Sequence, residues 1–145
     1  MKLLVLCIGN RDGGDDSIGP YIADYLQKNG FENVIDAGII PENFTGVVKE
    51  KKPDELLIID AIDMDLDPGE IRFVSKEKIG EMTISTHGIP LSVLIKYLEI
   101  SIEKIFLIGI QPKEMSGKIT PYVKKSGEKL AKLIIENKFN QLKNL

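Results

Sequence analysis

Three short runs of apolar residues, each bounded by Gly, Asp or Pro, stand out along the chain. They cover residues 2–8, 56–60 and 105–110 and are rich in Ile, Leu and Val. Continuous apolar runs of this length are typical of parallel strands buried on both faces. Two weaker runs, residues 33–35 and 70–74, predict further strands. The second follows an Asp-Pro-Gly turn, so we expect it at an edge, where antiparallel pairing is open to it.

Amphipathic segments lie between the predicted strands. Apolar residues at helical spacing predict helices over residues 18–29, 90–98 and about 121–139. Alternating strands and helices indicate an α/β fold, a three-layer, open and mostly parallel sheet of about five strands with helices on both faces. No repeat or linker divides the 145 residues, so we expect one domain over residues 1–145.

Composition and charge exclude several classes of function. The 19 Lys and Arg residues are scattered and the formal net charge is −3, so the chain lacks the basic patch typical of nucleic-acid binding. No apolar segment approaches the roughly 20 residues needed to cross a bilayer. The only cysteine, Cys7, lies within the first predicted strand. We therefore expect a cytoplasmic protein without nucleic-acid partners or membrane insertion.

Polar residues follow the predicted strands and carry the candidate chemistry. Asp15 and Asp16 come after the first strand, Asp60 ends the strand at residues 56–60, and His87, the only histidine, precedes a helix. Taken alone, an Asp at a helix start is as often a cap, and Asp60 could begin a turn. In a doubly wound sheet, however, these stretches converge at the carboxyl ends of the strands.

Two carboxylates and an imidazole can bind a transition metal, and three protein ligands leave coordination positions open, as a catalytic or substrate-borne metal requires. The helix that follows would keep Asp16 ionised and ready to coordinate a metal or to accept a proton. Asp16, Asp60 and His87 are therefore candidates for an open metal site.

Other motifs fail on inspection. Asp63, Asp65 and Asp67 are spaced as in a calcium loop, but Pro68 and Val74 occupy the positions that need Gly and Glu. Ser17 lacks the first glycine of a nucleophile elbow, and neither a dinucleotide fingerprint nor a phosphate loop is present. Calcium binding, serine hydrolysis and nucleotide binding are therefore disfavoured.

Four motifs in order resemble a known family. The segments GN and GDDSIGP, then IDAIDMDLDPGEIR, STHGIPL and IFLIGIQP are similar to those of the hydrogenase maturation endopeptidases, particularly the hydrogenase 3 type. The resemblance runs through nearly the whole chain. It implies an endopeptidase that removes the C-terminal extension from the large-subunit precursor of a nickel-iron hydrogenase after nickel has been inserted.

The resemblance also implies where the metal is contacted. The metal-contacting residues of the family correspond here to Asp16, Asp60 and His87, which we therefore expect to form the catalytic site. Asp15 is expected instead to cap the helix or to order the glycine-rich loop. Nickel would then be supplied by the precursor as the recognised feature, with none tightly bound to the resting protein. The family is grouped with aspartic peptidases, and whether a carboxylate activates water or only positions nickel stays open.

Two other functions compete with this interpretation. A response-regulator receiver domain would use Asp15, Asp16 and Asp60 with magnesium, and Lys113 follows the last predicted strand. Against it, residues 9–14 separate the acidic pair from the strand. The third possibility is a non-catalytic chaperone that docks on the hydrogenase subunit and inspects its metal.

Overall fold

The chain forms a five-stranded sheet flanked by helices in a computed structural model, which describes residues 2–82 and 88–145. The strands are β1 (Leu3–Ile8), β2 (Val34–Gly38), β3 (Glu55–Ala61), β4 (Ile71–Val74) and β5 (Lys104–Ile110). The helices are α1 (Ile18–Lys28), α2 (Thr45–Lys51), α3 (Lys76–Glu81), α4 (Leu91–Leu98) and α5 (Pro121–Ile135). Short 3-10 turns at Gly14–Ser17, Pro41–Phe44 and Phe139–Gln141 complete the described elements.

The strand order is β2-β1-β3-β5-β4, and every pair is parallel except β4 with β5. The predicted α/β sheet is confirmed, and so is the edge position of β4. From β1 the chain crosses to β2 on one side, and it then returns to β3 on the other side of β1. This reversal creates a switch point between β1 and β3, where open α/β sheets place their ligand sites.

Alternating side chains of the strands build a separate core on each face of the sheet. On one face, Val5, Leu57 and Ile59 pack with buried residues of α1 and α5. On the other face, Leu4, Leu6 and Ile58 pack with buried residues of α2, α3 and α4. The central strands are therefore apolar on both faces, which explains their uninterrupted Ile, Leu and Val content.

Helices α2 and α3 are absent from the sequence-based prediction. Each is one to two turns long and buries one residue, Val48 or Ile79. One buried position gives no helical period, so the pattern contained too little information. Helix α5 also ends before residue 139, because Asn137 adopts φ 57° in the left-handed region that closes many helices.

Within residues 2–82 and 88–145, no helix combines the length and apolar character needed to cross a membrane.

Candidate functional site

The loop after β1 holds Asp16 at the switch point. Asp16 lies in the 3-10 turn Gly14–Ser17, and its Oδ2 accepts a hydrogen bond of 3.2 Å from the backbone N–H of Asn10. Gly9 has φ 157°, and a Cβ there would stand 2.0 Å from the backbone oxygen of Asp16. A Cβ on Gly13 would stand 3.0 Å from the Asp16 Cβ. The glycines therefore let the loop fold tightly enough to present Asp16 at the end of β1.

Asp15 has a different environment and is completely buried. Its carboxylate accepts backbone N–H groups of Lys113 (2.8 Å), Glu114 (2.9 Å) and Thr120 (2.7 Å), and the Thr120 hydroxyl at 3.0 Å. Burial raises the pKa of Asp15, but these donors outweigh it and the net pKa lies below its ordinary value. Asp15 thus orders the glycine-rich loop by joining it to residues 113–120, and it caps no helix.

Arg11 fixes the outer side of the same loop. Its guanidinium binds both carboxylate oxygens of Asp24 on α1, at 2.8 and 2.9 Å, and Asp36 on β2 at 2.6 Å. The loop is therefore attached to α1, to β2 and to residues 113–120. Asp16 is presented by a loop that is held on three sides.

Asp60 lies beside Asp16 at the end of β3. It is one residue beyond the Cys7–Ile59 pair of β1 and β3, and only 7 % of its surface is exposed. Burial raises the pKa of Asp60 well above its ordinary value, the charge of Asp16 raises it further, and the Ala61 backbone N–H opposes both effects. A buried carboxylate beside a second, partly exposed one is suited to share a proton or a cation with it.

His87, the third predicted ligand, lies outside the described residues. Gly88 follows it directly and is described, as is Pro90 before α4. Among residues 2–82 and 88–145, no group of three or more His, Cys, Asp or Glu side chains is arranged to hold a metal ion. Asp16 and Asp60 are therefore the two predicted ligands that the structure describes, and the third rests on the sequence.

Gln111, which the sequence analysis did not single out, organises the loop after β3. Its Oε1 accepts the backbone N–H groups of Met64 (2.6 Å) and Leu66 (3.2 Å), and its Nε2 donates to Asp63 at 3.1 Å. Asp63 also accepts the backbone N–H of Asp65 at 3.1 Å. The spaced acids thus form a turn that Gln111 holds beside Asp60. A Gln directly after a strand, at the same edge as the acids, was the available sequence signal.

Glu42 is a second residue that the sequence analysis did not single out. It lies in the 3-10 turn after β2, and its carboxylate contacts Gly88, next to His87 in the chain. Three strands therefore bring an acid to this edge of the sheet. A Pro-Glu pair soon after the strand-ending Gly38 was the sequence signal.

The geometry argues against the receiver-domain alternative. A receiver-type magnesium site would need Asp15 as a ligand, but both Asp15 oxygens accept hydrogen bonds from the loop at residues 113–120. Lys113 contributes its backbone N–H to this arrangement, and its side chain is exposed. Asp15 therefore has a structural role that leaves no room for the metal.

The chain is similar in sequence to proteins of one family. A family model described as hydrogenase maturation protease, HycI, matches residues 20–137. The chain is 43 % identical to the hydrogenase 3 maturation protease of Escherichia coli over 115 residues, covering 77 % of this chain and 74 % of that protein.

Two solved structures have the same architecture. The solution structure of the endopeptidase HycI from Escherichia coli gives a TM-score of 0.90 at 36 % identity, covering 100 % of this chain and 97 % of that one. The crystal structure of a [NiFe] hydrogenase maturation protease HycI from Thermococcus kodakarensis gives 0.84 at 30 % identity, covering 94 % and 92 %. The similarity thus extends over the switch point and both of its acids.

Proposed function

The chain belongs to the hydrogenase maturation protease family, and on that premise we propose that it removes the C-terminal extension from the nickel-loaded large-subunit precursor of a nickel-iron hydrogenase. Nickel is part of the substrate in this proposal, and the enzyme recognises it. The observation that carries the proposal is the juxtaposition of Asp16 with the buried Asp60 at the switch point.

The donor set suits a metal carried by another protein. Asp16 and Asp60 offer oxygen ligands, and His87 would offer nitrogen, a combination that suits nickel and related divalent ions. A closed structural site would normally use four ligands. Three leave coordination positions for the ligands of the precursor, so the enzyme and its substrate can share one metal ion.

The raised pKa of Asp60 favours a site that is completed by its substrate. Without a metal, Asp60 holds a proton more readily than an exposed Asp, because burial and Asp16 both disfavour its charge. A cation at this position would remove the repulsion and release that proton, since metal ligands bind in the deprotonated form. Metal binding and carboxylate ionisation are therefore coupled at Asp60.

Docking on the shared nickel would hold a peptide bond of the precursor near the carboxylates. Hydrolysis then adds a water oxygen to the carbonyl carbon, breaks the C–N bond and transfers a proton to the departing amine. The metal can polarise the water or the carbonyl, and a carboxylate of the pair can accept the proton from water. Asp16 and Asp60 would thus act through the metal that they bind, through the proton that one of them accepts, or through both.

The test is cleavage of a nickel-loaded precursor by matched variants, measured by intact mass. Asp16→Asn and Asp60→Asn should each lower the rate at least about 100-fold, the range for removing a group that acts in the transition state. Asp12→Asn makes the same charge change at an exposed position of the same loop and should cleave at the wild-type rate. Wild-type rates in all three variants would refute the assignment of the site, and a wild type that leaves the extension attached would favour the chaperone.

A further inference from the structure

An open cavity of about 250 Å³ lies at the outer edge of β4, apart from the candidate site. Its walls come from three parts of the chain: residues 69–72 at the start of β4, helix α5, and residues 141–143. The lining includes three cationic side chains and one acid, with two uncharged polar side chains: Arg72, Lys129, Lys143 and Glu70, with Ser126 and Gln141. The cavity is therefore net positive, although the chain as a whole has a charge of −3.

The pairing of β4 places the Arg72 guanidinium at this cavity. The Glu70 carbonyl faces β5, where it accepts the Gln111 N–H at 2.9 Å, so the carbonyl of the next residue, Ile71, faces the open edge. Arg72 Nη1 donates to the Ile71 carbonyl at 2.8 Å and to the Glu70 carboxylate at 3.2 Å. Both hydrogen bonds from the Arg72 side chain to described residues thus use Nη1. Nε and Nη2 keep their N–H groups for another acceptor.

Two lysines add positive charge from different elements. Lys129 and Lys143 are exposed, and neither forms an ion pair within the part of the chain that the structure describes. The Phe73 N–H donates to the Lys143 carbonyl at 2.8 Å, which attaches the C-terminal segment to β4. Ser126 lies one turn before Lys129, and a Cβ on Gly69 would stand 2.9 Å from its Oγ. The walls are therefore held together, and their cations outnumber their acid.

We propose that this cavity binds an oxyanion, a carboxylate or a phosphate group. Nε and Nη2 of Arg72 offer such a group two parallel N–H donors, the arrangement in which arginine binds carboxylates and phosphates most strongly. Lys129 and Lys143 supply further charge, and the Ser126 hydroxyl supplies another donor. An anion bound here would relieve the repulsion among the three cations.

The oxyanion has two candidate sources, a carboxylate of the precursor and free phosphate. Asp60 and Arg72 both pair with Gly109 of β5, one on each side, so their Cα atoms lie about 10 Å apart. A precursor docked at Asp16 and Asp60 therefore reaches the cavity with residues close to the cut bond. The precursor as source rests on the proposed function, whereas binding of free phosphate does not.

The first measurement is the affinity of the protein alone for inorganic phosphate, by calorimetric titration at fixed pH and ionic strength. Arg72→Gln should lower this affinity about 10-fold or more, because it removes two charge-assisted hydrogen bonds. Arg72→Lys should recover only part of the loss, since it keeps the charge without the planar fork. Lys129→Gln and Lys143→Gln should each lower the affinity about 2- to 5-fold, the range for a partly screened charge, and together about 10-fold.

The matched control is Lys132→Gln, which makes the same charge change at an exposed position of α5 outside the lining of the cavity. It should bind phosphate as wild type does. Glu70→Gln removes the acid that competes for Arg72 and should raise the affinity. Melting temperatures check the folding of every variant, and the two exposed lysines keep the proposal testable if Arg72→Gln fails to fold.

The second measurement is cleavage of the nickel-loaded precursor, with and without added phosphate. If the cavity binds a carboxylate of the precursor, Arg72→Gln and the double lysine variant should raise KM with kcat little changed. Phosphate should then inhibit the wild type competitively. If the cavity binds free phosphate, KM should stay unchanged and only the phosphate affinity should fall.

Arg72→Gln and double lysine variants with wild-type phosphate affinity and wild-type KM would overturn the inference. So would a Lys132→Gln protein that loses as much phosphate affinity as Lys129→Gln, because general attraction to a basic surface would then explain the binding. A wild type that never cuts the precursor contradicts the proposed function alone, and the phosphate affinities still decide whether the oxyanion site exists. If that wild type also fails to bind phosphate, both proposals are rejected.

Discussion

The adjacent acids Asp15 and Asp16 should respond in opposite ways to the same substitution. Asp15 is buried and accepts four hydrogen bonds, whereas Asp16 lies at the switch point beside Asp60. We predict that Asp15→Asn destabilises the fold, and that Asp16→Asn leaves the fold intact and abolishes cleavage.

The structure gives the magnitude for Asp15→Asn. Oδ2 accepts three of the four hydrogen bonds, and Oδ1 accepts the Thr120 N–H at 2.7 Å. The amide oxygen can replace only one of these atoms, so its NH2 group must face a donor. Hydrogen bonds to a charged group contribute about 1.5–3 kcal/mol and neutral ones about 0.5–1.5 kcal/mol. Asp15→Asn loses one hydrogen bond and weakens three, but it no longer buries a charge. The net decrease in the free energy of unfolding is therefore about 2–4 kcal/mol.

The assay is thermal and urea unfolding of both variants beside wild type. At about 3 °C per kcal/mol for a chain of this size, Asp15→Asn should melt roughly 6–12 °C lower. Because folding lowers the pKa of Asp15, its stabilisation is complete well above the ordinary value of 3.8 and is lost as pH falls through the lower folded value. The difference from wild type should therefore shrink only in acid.

Asp16→Asn serves as the matched control. Its amide oxygen can still accept the Asn10 N–H, and the substitution removes a charge that disfavours ionised Asp60. Its melting temperature should equal or exceed that of wild type. Equal melting temperatures for wild type and Asp15→Asn would refute the reasoning, as would loss of cleavage in a fully stable Asp15→Asn while Asp16→Asn still cuts.

Three further predictions concern stability. Asp60→Asn should raise the free energy of unfolding at neutral pH by about 1–3 kcal/mol. Because folding raises the pKa of Asp60, the stability of the wild type falls as pH rises from 3.8 towards the higher folded value. The gain from Asp60→Asn should therefore grow with pH over this range in urea titrations, and a gain that is constant with pH would contradict the prediction. Gly19→Ala should lower the free energy of unfolding by about 3 kcal/mol, since its Cβ would stand 2.1 Å from the backbone oxygen of Ile8. Gly46→Ala, where the Cβ meets open space, should raise it by up to about 1 kcal/mol. Similar melting temperatures for the two variants would refute the packing argument. Gln111→Leu should cost about 1–3 kcal/mol and speed amide exchange in residues 62–66, and unchanged exchange there would show that other contacts hold the loop.

The central sheet was predictable because the burial of its strands appears directly in the sequence. Strands β1, β3 and β5 are apolar on both faces, so length and composition identified them. The edge strand β4 was identified by the preceding turn and by its alternation. In β2 the apolar pattern stops at Asp36, so the strand was predicted to end at residue 35, whereas it continues to Gly38. The partner of Asp36 is Arg11, which is 25 residues away and gives no local signal.

The sequence predicted those parts of the site that lie at the carboxyl ends of recognisable strands. Topology brings Asp16 and Asp60 together, and fold class alone was enough to expect this. That Asp15 orders the glycine-rich loop was also expected, but its partners, residues 113–120, are about 100 positions away and no local pattern contains them. The electrostatic coupling of Asp16 with Asp60 likewise depends on burial in the folded protein. Glu42 was missed for the same reason, because its contact with Gly88 crosses from β2 to the segment before α4.

The most direct measurement is the intact mass of a nickel-iron hydrogenase large-subunit precursor, prepared with and without nickel, before and after incubation with this protein. The account predicts loss of a C-terminal peptide from the nickel-loaded precursor and no change in the nickel-free one. Equal cleavage of both forms would contradict nickel recognition at Asp16 and Asp60, and an unchanged mass of the nickel-loaded form would contradict the proposed cleavage itself.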